Sequence, residues 1–477
     1  MPDRRAHIAA SAAQSELAAA LAALRAELDL PIEFPPEVLA EAEAAASATP
    51  APEVDRRDLP FVTIDPAGSR DLDQALHLAR NTRGYAVHYA IADVPGFVRP
   101  GGAIDLEARE RGQTLYAADG RIPLHPPVLS EDRASLLPGV DRSAFVWSFE
   151  LDADGTVRST RLERAVVRSR AQLAYHEAQA HIDHGTGDPS LSLLRDVGRL
   201  RVERERARGG ASLNVPDEEI VRTEDGGYAL ELRRLLPVED WNAQLSLMTG
   251  MAAAELMIGA RVGILRTMPE PGPDAIQAFR AQTVALGHPW PASVGYGEYL
   301  RGLDREDPVC LAIMEAASAL FRGAGYAAMD GAVPADPAQS ALAAPYAHVT
   351  APLRRLVDRW GLVICEAISA GREAPQWARE TLHELPRLME ASSRRASQLD
   401  AGSIARVEAA VLSGRVGERF AATVLAMRNG SAVIQLAEPA VTATCSATGM
   451  RPGELMPVVL MRADIPSGTV EFRPADA

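Results

Sequence analysis

Lysine is absent from this 477-residue chain: all 49 basic side chains are arginine. A positive balance is missing too, with a net charge of −15 and a pI near 5.2. A broadly basic surface is therefore excluded as the means of holding a polyanion, and any such ligand has to meet a local positive channel. The three cysteines, Cys310, Cys365 and Cys445, are scattered, with no CxxC pair and no zinc-ligand spacing. That excludes a disulfide scaffold and leads us to expect a reducing, cytoplasmic setting. No apolar run reaches the roughly 18 residues of a membrane span, and the N-terminal stretch lacks a compact apolar segment, so neither a span nor a signal peptide is expected.

What is present is enough apolar material for a large core, at 47% hydrophobic residues, in a chain too long for one ordinary domain. Residues 6–30 carry Leu17, Leu21, Leu24 and Leu28 on one helical face. A second helix is expected from Pro36 to about Ala46, and residues 48–57 read as a linker. Strands are expected at 85–92, 144–151 and 159–169. Helices are expected at 171–182, 191–208, 240–267, 309–330, 352–370 and 375–412. The charged run LRVERERAR within 191–208 reads as a solvated helix face. Met248, Met251 and Met257 read as core. Residues 210–234 alternate about a turn at Asp225-Gly226-Gly227. After 415 several short alternating runs, with Asn429-Gly430 as a hairpin turn, suggest a small barrel.

One stretch stands out for chemistry, FVTIDPAGSRDLDQAL at 61–76. A β-branched strand is broken by Pro66 and Gly68, and Asp65, Asp71 and Asp73 gather around the break. Hard divalent cations take such oxygen ligands. Aspartates are also common in solvated turns, and spacing alone does not separate the two readings. A calcium loop is excluded, since the position that needs a bidentate Glu is Leu76.

The following motifs decide between them. T-I-D-x5-D-x-D at 63–73 is followed by I-A-D-V (91–94), I-D-x-E-A-x-x-R-G (104–112), Tyr116, R-I-P-L (121–124), L-S (129–130), S-L (135–136) and D-R (141–142). Much later comes YAHVTAPLRRLVDR (346–359). In order and spacing these resemble the catalytic RNB domain of the ribonuclease II family over about residues 60–410. The resemblance implies an α+β chain in three parts. These are a helical N-terminal module with its linker (1–55, possible in a helix-turn-helix-like form or as a pair packed on the catalytic domain), a large mixed α/β RNB domain (56–412) and an S1-like OB barrel (413–477).

It further implies a metal-dependent exoribonuclease that shortens single-stranded RNA processively from the 3′ end to nucleoside 5′-monophosphates. A monomer with no obligate protein partner is expected. By resemblance Asp65, Asp71 and Asp73 are metal ligands, with Asp71, Asp73 and Arg354 catalytic. Tyr116 stacks on a base, and Arg355, His348 and Arg359 contact RNA. The sequence departs from the family at Gln74, where a fourth acid is usual, and at Gln398, in a loosely matching stretch that ordinarily holds a glutamate. Gln74 can ligate through its carbonyl but brings no charge, so Mg²⁺ is expected, with Mn²⁺ or a mononuclear site as alternatives. The contrasting expectation is a degenerate RNB fold that binds RNA without cutting it.

Overall fold

The structure is a computed structural model describing residues 5–7, 11–48, 51–118, 120–211, 217–222, 228–233, 235–304, 307–428, 430–436, 438–439, 441–446 and 450–475. It is mixed α and β, as expected. Helix α1 (Ser11–Glu27) buries Leu17 and Leu21 in a core shared with the C-terminal barrel, while α2 (Pro36–Ala48) buries Val38 and Ala42 beside Ile104 of the large central part. The leucine face read from the sequence is thus spent on packing. The two helices rest on different parts of the molecule.

The large central part is built on β1 (Phe61–Asp65), β2 (Gln74–Arg80), β3 (Gly84–Ala92), helix α3 (Ala103–Arg111), β4 (Asp141–Asp152) and β5 (Val157–Ala174). Strand pairing runs β5–β1–β2–β3–β4 and returns from β4 to β5, with the short strand Val54–Asp55 on the outer side of β5. The β1–β5 pair is parallel, so Asp65 ends level with Ala174. One side of the sheet is filled by Tyr89, Trp147 and Phe149 against α4 (Pro237–Ala260), which contributes Met248 and Met257 to that core. Met251 is buried as well, against Leu342 and Tyr346.

Several sequence expectations are corrected by this pairing. Residues 171–174 continue β5 because β1 supplies a parallel partner, and the helix begins only at Tyr175. Helix α4 stops at Arg261, whose φ of 57° is left-handed, and Val262–Thr267 becomes a strand paired with Gly325–Asp330. The helix expected across 309–330 therefore ends early as well. In the charged helix, Arg201 and Glu205 are buried, with Arg201 donating to the Gly155 carbonyl and Glu205 accepting from Gln244. The turn expected at Asp225-Gly226-Gly227 lies outside the described residues.

Helices α5 (Leu356–Ser369) and α6 (Leu385–Leu412) lead to a closed five-strand barrel of order β6-β7-β8-β10-β9, where β6 is Arg419–Arg428, β7 Ser431–Leu436, β8 Thr442–Cys445, β9 Leu455–Asp464 and β10 Thr469–Pro474. Strands β6 and β7 pair across the expected two-residue turn, with Gly430 at φ 82°; Asn429 lies outside the described residues. No described helix is long and apolar enough to cross a membrane.

Candidate active site

The loop 66–73 leaves β1 and enters β2. Four hydrogen bonds fix its path. Ser135 Oγ donates to the Arg70 carbonyl and accepts from Leu72 N–H, and Leu136 N–H donates to the Leu72 carbonyl at 3.0 Å. Gln172 Nε2, on β5, donates to the Ser69 carbonyl at 2.7 Å. The Ser135-Leu136 motif is thus the clamp on the acidic loop. Leu72 itself is buried in one cluster with Leu353, so the acidic loop and the loop of the late motif share an apolar anchor.

That anchor brings Asp73 against Arg354. Asp73 Oδ1 accepts Leu353 N–H at 2.8 Å, and Oδ2 lies 3.4 Å from Arg354 Nε. Asp73 is 4% exposed, and burial pushes its carboxyl up to about 8, with the Arg354 charge and the Leu353 N–H pulling the other way. Burial, helped by the charge of Asp71, pushes Asp65 up to about 7. Asp73 is therefore mostly protonated at neutral pH and Asp65 about half so, unless a cation faces them.

Asp71 is paired differently. Its carboxylate meets Arg121, which also reaches Glu131 at 2.9 Å. Sequence reasoning placed Arg121 in a motif but gave it no role. Its partners are 50 and 10 residues away, so no local signal exists for the pairing. Among the described residues, the one set of three His, Cys, Asp or Glu ligand atoms within 4.8 Å of one another lies elsewhere. The oxygens of Asp65, Asp71 and Asp73 are more widely spread. Gln74 Nε2 donates to the Thr350 carbonyl, which leaves only its Oε1 for a metal. An aspartate there could not make this bond, because a carboxylate has no proton to donate.

The late-motif loop is stitched to the segment leading to Tyr116. Thr114 N–H donates to the Arg354 carbonyl and Leu356 N–H to the Gly112 carbonyl, both at 3.0 Å, with Gln113 bridged to Arg355. Gly112 has φ 72°, and a Cβ there would meet Ser392 Cβ at 2.5 Å. Gly250 has a similar reason: a Cβ would meet the Tyr346 ring at 2.1 Å. Tyr116, 53% exposed, and the Arg354 side chain, 46% exposed, stand at the open side of the acids.

The other expected RNA contacts sit deeper. Arg355 makes a two-pronged pair with Asp358, both bonds 2.9 Å, and Asp358 also accepts Ala351 N–H at 2.6 Å. His348 Nδ1 bonds the Tyr326 hydroxyl at 2.8 Å, and burial with Arg355 and Arg266 nearby holds its pKa well below the usual range. It is neutral at pH 7 and offers no charge to a phosphate. Arg359 is a correction. At 2% exposure it is sealed, pairing with Asp105, donating to the Val98 carbonyl and lying 4.7 Å from the Trp377 ring. It braces α5 against α3 and cannot reach RNA.

The RNB domain pattern matches residues 53–364. The chain belongs to the RNB family. A pattern for the RNase II-type exonuclease C-terminal S1 domain matches residues 418–475, the barrel. Ribonuclease R of Escherichia coli (strain K12) is 30% identical over 341 residues, 68% of this chain and 40% of that protein. The chain spans well under two thirds of the length of the curated relatives it matches. Mycoplasma genitalium RNase R in complex with ribose-methylated single-stranded RNA shares the fold, with a TM-score of 0.85 at 17% identity over 96% of this chain and 78% of that one. Yeast Ssd1, a pseudonuclease, shares it less closely, with a TM-score of 0.67 at 16% identity over 82% and 51%.

Proposed function

We propose that this RNB protein is a 3′→5′ exoribonuclease that hydrolyses single-stranded RNA processively to nucleoside 5′-monophosphates. The observation that carries the reading is the meeting of Asp73 with Arg354, delivered from opposite ends of the domain to one site with Asp65, Asp71 and Tyr116. Buried acids facing a polyanion repel it unless a cation intervenes, and the donor set is all hard oxygen, which suits Mg²⁺. Asp65, Asp73 and the Gln74 carbonyl would hold it, with Asp71 joining directly or through water once released from Arg121. When bound, the ion neutralises phosphate charge and makes a bound water more acidic.

The remaining work falls to the chain. Arg354 is held at one edge by Asp73 and exposed at the other, where it can meet a phosphate and the charge that develops on it. Tyr116 offers a stacking face to any base, which suits sequence-indifferent digestion. Arg355 is spent on Asp358 and holds the loop rather than the substrate.

A second reading is a protein that binds RNA without cutting it. Gln74 and the likeness to a pseudonuclease fold favour it. Chromatography of products separates the two. With single-stranded RNA and Mg²⁺ or Mn²⁺, the nuclease releases nucleoside 5′-monophosphates and stops on chelation. RNA that is bound but intact with either ion rejects the nuclease reading.

A further inference from the structure

The helical segment 273–321 takes no part in the site above, and its apolar side chains, among them Phe279, Leu300 and Ile313, share a core with Leu425 of the barrel. At one end three ligand-type side chains meet. His288 follows helix Pro273–Ala285, while Asp307 and Cys310 flank the start of helix Pro308–Ala317. One ligand atom from each lies within 4.8 Å of the other two. His288 Nε2 is 3.8 Å from Asp307 Oδ2, and Cys310 Sγ is 3.6 Å from the same oxygen.

Capping and backbone bonds position Asp307 and His288, and the Cys310 thiol donates to Asp307 Oδ2, a proton that a bound cation would displace. Asp307 Oδ1 accepts Val309 N–H at 2.9 Å and so caps the helix, which turns Oδ2 toward the thiol and the imidazole. The His288 backbone is fixed at both ends, its N–H donating to the Thr283 carbonyl and its carbonyl accepting from the Tyr299 hydroxyl. Among the described residues its ring makes no hydrogen bond, only the 3.8 Å approach to Asp307. Cys310 is 2% exposed, yet its sulfur faces a carboxylate rather than apolar side chains alone.

Tetrahedral zinc, with bonds of about 2.0 Å to nitrogen and oxygen and about 2.3 Å to sulfur, separates its ligand atoms by roughly 3.3–3.7 Å. The two measured edges are close to that, and the third closes by a turn of the exposed imidazole. A thiolate and an imidazole select zinc over magnesium. We propose that His288, Asp307 and Cys310 form a second metal site of the zinc class, with three protein ligands and water in the fourth position. It is independent of the reading given to the carboxylate site. The spacing of the three cysteines gave no hint of it, because only one of them takes part.

The ion ties the loop after Pro273–Ala285 to the head of Pro308–Ala317. That end of the segment rests on the barrel. A Cβ at Gly453, just before β9, would meet Leu286 Cδ2 at 2.9 Å and Val309 Cγ2 at 3.4 Å. The brace therefore sits directly behind the contact between segment and barrel.

The test uses the full chain, reduced, stripped with chelator and titrated with Co²⁺ in excess Mg²⁺. Thiolate-bound tetrahedral Co²⁺ gives a near-ultraviolet charge-transfer band and visible d–d bands, and Zn²⁺ should displace it. We expect stoichiometric signal in the wild type, retained in Cys365→Ala and in Asp73→Asn and lost in Cys310→Ser. His288→Ala removes an exposed ring outside the core, so it folds, and should weaken Co²⁺ binding by more than about a hundredfold, beyond the effect of losing a mere supporting contact. A wild type without the charge-transfer band, a Cys310→Ser protein that keeps it, or a His288→Ala protein of unchanged affinity overturns the proposal.

Discussion

Asp73→Asn should stabilise the metal-free protein at the same time as it abolishes activity. The carboxyl is buried, and its pKa rises from 3.8 to about 8 in the fold. At about 1.4 kcal/mol per tenfold change in proton affinity, that sets a ceiling of roughly 6 kcal/mol on the cost of keeping it ionised. That figure is already net of the Arg354 attraction at 3.4 Å, and asparagine keeps the acceptor for Leu353 N–H. Allowing for the burial of a new amide with its own donors to satisfy, we expect a net gain of about 2 kcal/mol at pH 8. In a chain of this size that is a rise of a few degrees in Tm. The sign with pH follows from the raised pKa. The folded state binds the proton more tightly than the unfolded one, so wild-type stability falls as pH rises from about 4 to about 8 and levels above that. Asp65, raised to about 7, adds to the same trend. The variant's advantage should be largest at pH 8 and close to nothing near pH 4. Calorimetry in chelator across that range checks it. An Asp73→Asn protein less stable than wild type at pH 8, or equally favoured at pH 4, would refute the reasoning.

Other perturbations separate the parts of the site. Asp358→Ala leaves the half-buried Arg355 without its partner and Ala351 N–H without its acceptor, and should cost about 2–4 kcal/mol in denaturant unfolding. Tyr116→Ala removes an exposed stacking face and should weaken RNA binding by about 1–3 kcal/mol in a filter-binding assay, with the fold intact. Arg121→Gln frees Asp71 from its competing cation, so the Mg²⁺ concentration giving half-maximal activity should fall several-fold in a metal titration. Arg354→Ala should lower kcat by on the order of a hundredfold, since its exposed guanidinium edge is placed to meet charge that develops in the reaction.

The sequence made the acidic loop and the arginine loop legible because both are dense in motif residues, and the barrel because its runs alternate around Asn429-Gly430. Other features depend on partners far along the chain. Residues 171–174 are strand only because β1 lies beside them, and Val262–Thr267 only because Gly325–Asp330 pairs with it. Arg359 looked like one more phosphate contact in an arginine-rich motif. Its burial against Asp105 spans 254 residues and leaves no local trace. Gln74 looked like a missing acid. In the fold its amide also donates to Thr350, a role no carboxylate could fill. The leucine face of α1 could not tell an RNA module from a packed helix, since both need one apolar side.

The most direct test of the account follows a short single-stranded RNA labelled at its 5′ end through a time course with Mg²⁺, using wild type and Asp73→Asn. The account predicts a ladder that shortens stepwise from the 3′ end in the wild type, halted by chelator, and intact but bound RNA with the variant. Intact RNA with the wild type in both Mg²⁺ and Mn²⁺, or equal shortening by Asp73→Asn, would contradict it.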